Sequence, residues 1–314
     1  MDIIAFSEPF LILIALIALG VLVARLHILD EQSVSRISNL VIQVTLPAAI
    51  FIAVATEMTP QMFGAAPWVV LLGVISGIVT YALAALIGRF LRLEPSRRGV
   101  YTLAACSTNT GFLGIPLIAS VFGPVAAVTA VLYDFSTTII IFTIGIGGLD
   151  RSDKRFDLWK LLRNLCNPMF MALVLAVGWS ATGWTLPSLA VRLLHLLGDS
   201  TIPLVMICLG HMLYSAQGKA RVPALHMGLL SGIRFIAAPM LMLALVSLPA
   251  MTPEAQAVCV LQSAMPAATL TPILARQYGA DEHFGVSATL STTLLSLLIL
   301  PLLTYGLRWF YGLG

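Results

Sequence analysis

Long apolar runs separated by short polar stretches set the pattern of this chain. They fall near 6–26, 37–56, 66–89, 98–122, 124–148, 165–183, 197–216, 223–248, 255–279 and 285–310. Each is close to the ~20 residues a helix needs to cross a hydrocarbon layer about 30 Å thick, so the pattern predicts ten spans. Two of the runs are interrupted. Residues 107–116, STNTGFLGIP, read as a surface loop, yet VYTLAAC precedes them and LIASVF follows. Residues 263–272, SAMPAATLTP, interrupt the ninth run in the same way. Pro116 and Pro272 cannot donate to residue i−4, Pro266 opens a second gap, and Gly111 and Gly114 allow backbone shapes that other residues resist. The fourth and ninth spans are therefore expected to be broken, each into two half-helices that meet near mid-bilayer and cross.

Composition fits this picture. The chain of 314 residues is 59% hydrophobic and 10% charged, with a mean hydropathy of +0.98. A soluble domain carries about 25% charged residues, so this chain has too few to coat a water-facing surface. Asp2 and Glu8 replace the basic start of a signal peptide, so the first run is expected to stay as a helix. Cys106, Cys166, Cys208 and Cys259 lie in or beside apolar runs without metal spacing and read as small buried hydrophobes.

The basic residues orient the spans. With the N-terminus outside, Arg192 and Arg308 fall outside and Arg234 within a span, which leaves 14 of the 17 Lys and Arg on the cytoplasmic side. The positive-inside rule expects such asymmetry, and it predicts both termini outside. An offset of 156 residues then pairs Pro47 with Pro203, Pro67 with Pro223, Pro116 with Pro272 and Gly123 with Gly279. At an ordinary proline frequency, about half of one proline match would arise by chance over half the chain. The reading is a duplication: a first five-helix repeat at 1–149, a short cytoplasmic linker at 150–164, and a second repeat at 165–314. Five is odd, so the copies insert with opposite orientation, an architecture of secondary transporters with sites at the repeat interface.

Half-helix N-termini present unpaired N–H groups and partial positive charge. Two of them at one point make a seat for a carboxylate. Ser107, Thr108, Asn109 and Thr110 gather there from one half, and Gln262, Ser263, Thr269 and Thr271 from the other. The alternative is a pair of kinked helices whose hydroxyls bond only backbone. Ionisable side chains within spans are costly, which singles out four. Asp134 can couple proton movement to substrate movement, or hydrogen-bond Tyr133 or the hydroxyls of Ser136–Thr138. Arg234 can attract anions, pair with Asp134 or snorkel to an interface. His211 can relay protons or sit at an interface. Arg276 can gate, hold substrate or act as a cytoplasmic anchor.

The motifs NTGFLGIPL (109–117), AMPAATLTPILARQYG (264–279) and LDEQSVSRISNLVIQVTLP (29–47) resemble the auxin efflux carrier family. That family includes plant PIN-type carriers and bacterial malate or malonate permease-like proteins. The resemblance runs over nearly the whole chain. It implies ten helices, a scaffold and a transport domain with crossed helices, an elevator-like step, organic anion export or exchange, and a homodimer. The family's crossover asparagine falls on Asn109; its counterpart by the repeat offset is Met265. The family's long loop between halves is short here. The related bile-acid sodium symporters hold sodium with carboxylates near the crossover, and neither crossover here contains Asp or Glu.

The expected fold is thus an all-α polytopic membrane protein, ten transmembrane helices as two inverted five-helix repeats, with broken crossover helices 4 and 9. The expected function is a secondary active transporter of small organic anions, mono- or dicarboxylates, in a plasma (bacterial inner) membrane. A sodium-coupled symporter of the bile-acid type or a channel is the alternative. Expected partners are the anion, the lipid bilayer, protons as coupling ion and a second copy of the chain. Neither cofactor, metal nor nucleic acid is expected. No nucleophile–base pair or HExxH motif suggests an enzyme.

Overall fold

The computed structural model describes residues 3–149, 168–215 and 223–313. The expected linker at 150–164 and Cys166 lie outside the described residues. What is described is helical: α1 (Ile3–Arg25), α2 (Glu31–Leu40), α3 (Leu46–Glu57), α4 (Pro60–Phe90), α5 (Pro95–Cys106), α6 (Ile115–Phe122), α7 (Pro124–Ile140) and α8 (Pro168–Thr182). After them come α9 (Ser188–Asp199), α10 (Thr201–Ser215), α11 (Ala224–Gly232), α12 (Ala238–Val246), α13 (Pro253–Ser263), α14 (Leu270–Gln277) and α15 (Glu282–Tyr311). There is no strand among the described residues, and Thr108 and Ala267 form an isolated antiparallel bridge.

Among the described residues, seven helices are long and apolar enough to cross a membrane: Glu8–Arg25, Glu31–Glu57, Met62–Phe90, Pro124–Gly145, Ser188–Ser215, Ala224–Val246 and Glu282–Tyr311. The fourth, sixth and ninth apolar runs correspond to shorter helices. The second and seventh begin earlier than hydropathy places them, at Glu31 and Ser188. Their first turns, EQSVSRISNL and SLAVRLLHLLGD, mix charged residues into an amphipathic helix and so lower the mean hydropathy of the window.

Among the described residues, four helical stretches widen into π turns: Val41–Thr45, Thr110–Gly114, Ile141–Gly145 and Ile233–Ala237. Three of them lie just ahead of Pro47, Pro116 and Pro239. A proline ring clashes with the carbonyl four residues back, here residues 43, 112 and 235, each inside its π turn. The wider turn absorbs that clash while the helix continues.

By packing, the described residues form two compact units, each assembled from three stretches of chain. The first takes residues 3–64, 111–131 and 168–215. In it α1 packs along α10, and a Cβ at Gly20 or Gly210 would collide with the other helix's main chain. Such close approach is how helices associate where lipid removes the hydrophobic drive. The second takes residues 65–110, 132–149 and 223–313. Its core gathers Val100, Tyr101, Leu103, Leu230, Ile233, Leu274 and Phe284, all buried, from α5, α11, the following π turn, α14 and α15. This second unit contains most of the candidate site.

Candidate functional site

The site starts where α5 and α13 stop. After Cys106 the chain leaves the helix for three residues, Ser107, Thr108 and Asn109, and then resumes as the π turn Thr110–Gly114. After Ser263 it leaves the helix for Ala264–Thr269 before α14 begins. The two breaks meet as a short antiparallel bridge. The Asn109 N–H donates to the Pro266 carbonyl at 2.8 Å, and the Ala268 N–H donates to the Ser107 carbonyl at 3.0 Å. Backbone groups freed by each break are thereby satisfied by the other, which is what a non-helical segment inside an apolar helix requires.

Two expectations need correction here. Pro116 and Pro272 do not make the breaks. Pro116 lies inside the helical stretch Thr110–Phe122, beyond the break, where the π turn ahead of it takes up the missing N–H, and Pro272 is in the first turn of α14, where an N–H would have no intrahelical partner. Of the three, Pro266 alone lies within a break. Nor do Gly111 and Gly114 use left-handed backbone. Positive φ falls instead on Gly123 (87°) and Gly279 (65°), which end α6 and α14 as C-terminal glycines.

Side chains then fasten the bridge inside the second unit. The Ser107 hydroxyl donates to the Leu103 carbonyl at 2.7 Å and lies 3.2 Å from the Thr271 hydroxyl. The Thr108 and Thr137 hydroxyls share a hydrogen bond at 2.9 Å. Thr292 Oγ1 accepts the Ala267 N–H at 3.1 Å, and Thr289 Oγ1 donates to the Ala268 carbonyl at 3.2 Å. Sequence alone did not single out Thr289 and Thr292, and it marked Ser136–Thr138 only as partners of Asp134. The available signal was the hydroxyl density of TLSTTLLS (289–296) in an otherwise apolar helix.

Asn109 stands apart from this network. It is 3% exposed, and its side-chain Nδ2 is buried without a hydrogen-bond partner. Such a donor costs about 1–3 kcal/mol unless something else accepts from it. Gln262 and Ser263 are buried at the end of α13, whereas Thr269 is half-buried at the start of α14. Gly111, Gly114 and Pro116 belong to the first unit, where Pro116 lines an apolar cavity of about 160 Å³ with Leu46, Ile50 and Val131.

The four ionisable candidates have separate surroundings. The Thr110 hydroxyl donates to Asp134 Oδ1 at 2.5 Å, so this carboxylate adjoins the first break directly. Arg234 is 1% exposed and does not snorkel. Its Nη1 donates to the Ala105 carbonyl at 2.9 Å, and its Nη2 donates to the carbonyls of Met265 and Pro266. Its Nε has no partner, so the pairing with Asp134 is not made. Arg234 also borders a small cavity of about 10 Å³, room for one water-sized molecule, with Thr108, Tyr133, Thr137 and Ser263. His211 belongs to the first unit, 3.1 Å from the Leu29 carbonyl through Nε2 and 3.3 Å from Ser215 Oγ through Nδ1. Arg276 is exposed and reaches Glu282 at 3.8 Å.

Two broken apolar helices thus meet through their main chains beside a buried unpartnered amide. A family model described as membrane transport protein matches residues 5–304. The chain belongs to that family, the auxin efflux carriers. As a member it is an integral membrane protein, and relatives match it nearly end to end. A protein of Methanothermobacter thermautotrophicus named "Uncharacterized transporter" is 29% identical, over 94% of this chain and 96% of its own. An "Uncharacterized transporter" of Methanocaldococcus jannaschii is 28% identical, over 94% and 96%. A protein of Rhizobium meliloti named "Putative malonate transporter" is 26% identical, over 93% of each chain.

Proposed function

We propose that this auxin efflux carrier family member is a secondary active carrier of small organic anions, mono- or dicarboxylates, working by elevator-type alternating access. The observation that carries this reading is Asn109: a buried amide donor without a partner, set at the crossing of two helix breaks. A carboxylate at this point would accept from Asn109 Nδ2 and face the N-terminal end of α14, which carries partial positive charge. Thr269, Thr271 and Gln262 complete the seat from the second break, and Ser107, Thr108 and Thr110 from the first.

The carrier has ten spans in this reading, as two inverted repeats at 1–149 and 165–314 with a linker at 150–164. Support comes from the matched pairs Pro116/Pro272 and Gly123/Gly279. Both prolines lie in the short helical stretch that follows a break, and both glycines end that stretch with positive φ. The carrier works as a homodimer in the plasma (inner) membrane with both termini outside, and it is not an enzyme. Asp134, bonded to Thr110 beside the break, is the proton-coupling group. His211 and Arg276 have structural partners and serve as a helix tie and a cytoplasmic anchor.

The test is counterflow in proteoliposomes, with labelled malonate outside and a panel of unlabelled organic acids inside. The name of the Rhizobium meliloti relative makes malonate the first label to try. Transient, saturable accumulation of label is expected with some members of the panel. A channel, an enzyme or a receptor would give none.

A further inference from the structure

Arg234 sits on the π turn Ile233–Ala237, fully enclosed, with its guanidinium directed at main-chain oxygens. Those oxygens have a common origin. Ala105 is in the last turn of α5, and Met265 and Pro266 lie in the unwound segment that follows Ala264, the C-terminal cap of α13. The last four carbonyls of a helix lack intrahelical donors, and a helix C-terminus carries about half a negative charge. Two C-termini brought together therefore present about one negative charge, and one guanidinium balances it. Unwound carbonyls and half-helix C-terminal ends of this kind are the ligands with which broken-helix transporters coordinate sodium.

We propose that Arg234 is a tethered cation: it occupies, as part of the chain, a carbonyl cluster that would otherwise take a free monovalent cation. The crossover then holds its geometry with no ion supplied. With the negative helix ends neutralised, the remaining field at the break comes from the positive N-terminal ends, which favours an anion. This last consequence rests on the carrier reading; the cation site itself does not.

Two variants separate charge from hydrogen bonding. Arg234→Gln keeps donors for the carbonyls and removes the charge, whereas Arg234→Lys keeps the charge. The full chain is purified in detergent, and its thermal midpoint is read in sodium chloride, in guanidinium chloride at millimolar concentration, and in N-methylglucamine chloride at matched ionic strength. The wild type should not distinguish the salts. Arg234→Gln should melt lower in N-methylglucamine and regain about 4 °C or more with sodium or guanidinium. A folded Arg234→Gln protein with no response to small cations overturns the proposal. If Arg234→Gln does not fold, Arg234→Lys decides: a folded, salt-indifferent protein supports the tethered charge, and an unfolded one overturns it. The melting readout needs no substrate, so it stands or falls separately from organic anion transport. In counterflow the wild type should be indifferent to sodium, and Arg234→Gln should depend on it.

Discussion

The Asn109 N–H donates to the carbonyl of Pro266 at 2.8 Å, joining two helix breaks from opposite halves of the chain. That bond and its neighbour, Ala268 to Ser107, turn two local defects into one element. A further amide in the bridge, at Ala267, donates to Thr292 Oγ1.

Thr292→Val should therefore leave a buried N–H unpaired in a nearly isosteric side chain's place. The expected loss is about 1–3 kcal/mol of stability with the fold retained, and Thr292→Ser should recover most of it. Thermal unfolding of the two variants in detergent checks this. Equal midpoints for Thr292→Val and the wild type would mean that the Ala267 amide finds another acceptor.

Asp134 accepts from Thr110 at 2.5 Å, and Thr110 directly follows the first break. If this carboxylate carries the coupling proton, Asp134→Asn should abolish accumulation driven by a pH gradient while retaining exchange. One pH unit coupled through one proton supports accumulation of up to about tenfold, so the loss is measurable in proteoliposomes. An unchanged response to the gradient would return Asp134 to a structural role.

Asp281 does two jobs at the start of α15. Its Oδ1 accepts the Phe284 N–H at 2.9 Å as an N-cap, and its Oδ2 accepts from Arg97 Nε at 2.8 Å, with the Arg97 guanidinium 5.8 Å over the Phe284 ring. Burial pushes the Asp281 carboxyl up, but the Phe284 N–H and Arg97 outweigh it and hold the group below the usual carboxylate range. A depressed folded-state value means that the stabilisation is complete above the unfolded value of about 4 and is lost as pH falls through the folded one. Asp281→Ala should cost about 1 kcal/mol at neutral pH, and Asp281→Asn, which can still cap, should cost less. The gap between wild type and Asp281→Ala should narrow below about pH 4. A gap that is constant with pH would assign the effect to capping geometry alone.

The broken crossover was legible because hydroxyls, an amide and a proline clustered inside an apolar run are costly unless the helix opens there. Ser107, Thr108 and Asn109 announced the first break, and Pro266 the second. The prolines misled in one respect. Pro116 and Pro272 read as breakers in sequence, but Pro272 stands in the first turn of a helix and Pro116 behind a π turn that absorbs it, and only the course of the backbone tells these from breakers. Arg234 was legible as costly and not as buried. Its partners Ala105, Met265 and Pro266 are main-chain carbonyls far away in sequence, and no side-chain pattern marks them. Thr289 and Thr292 were hidden for a similar reason. A threonine that bonds its own helix and one that supports a neighbouring break look identical until the helices are packed.

The central claim is that Asn109 and the crossover around it seat a carboxylate. The most direct measurement is competition against labelled malonate counterflow by unlabelled malonate and by its neutral diamide, in wild type and in Asn109→Ala. A hydrogen bond to a charged group contributes about 1.5–3 kcal/mol, so the malonate concentration for half-competition should rise roughly 10- to 100-fold in the variant. The thermal midpoint should not fall, because Asn109 Nδ2 has no partner in the protein to lose. The diamide should not compete in either protein. Wild-type competition by malonate in Asn109→Ala, or competition by the diamide as good as by malonate, would contradict the account.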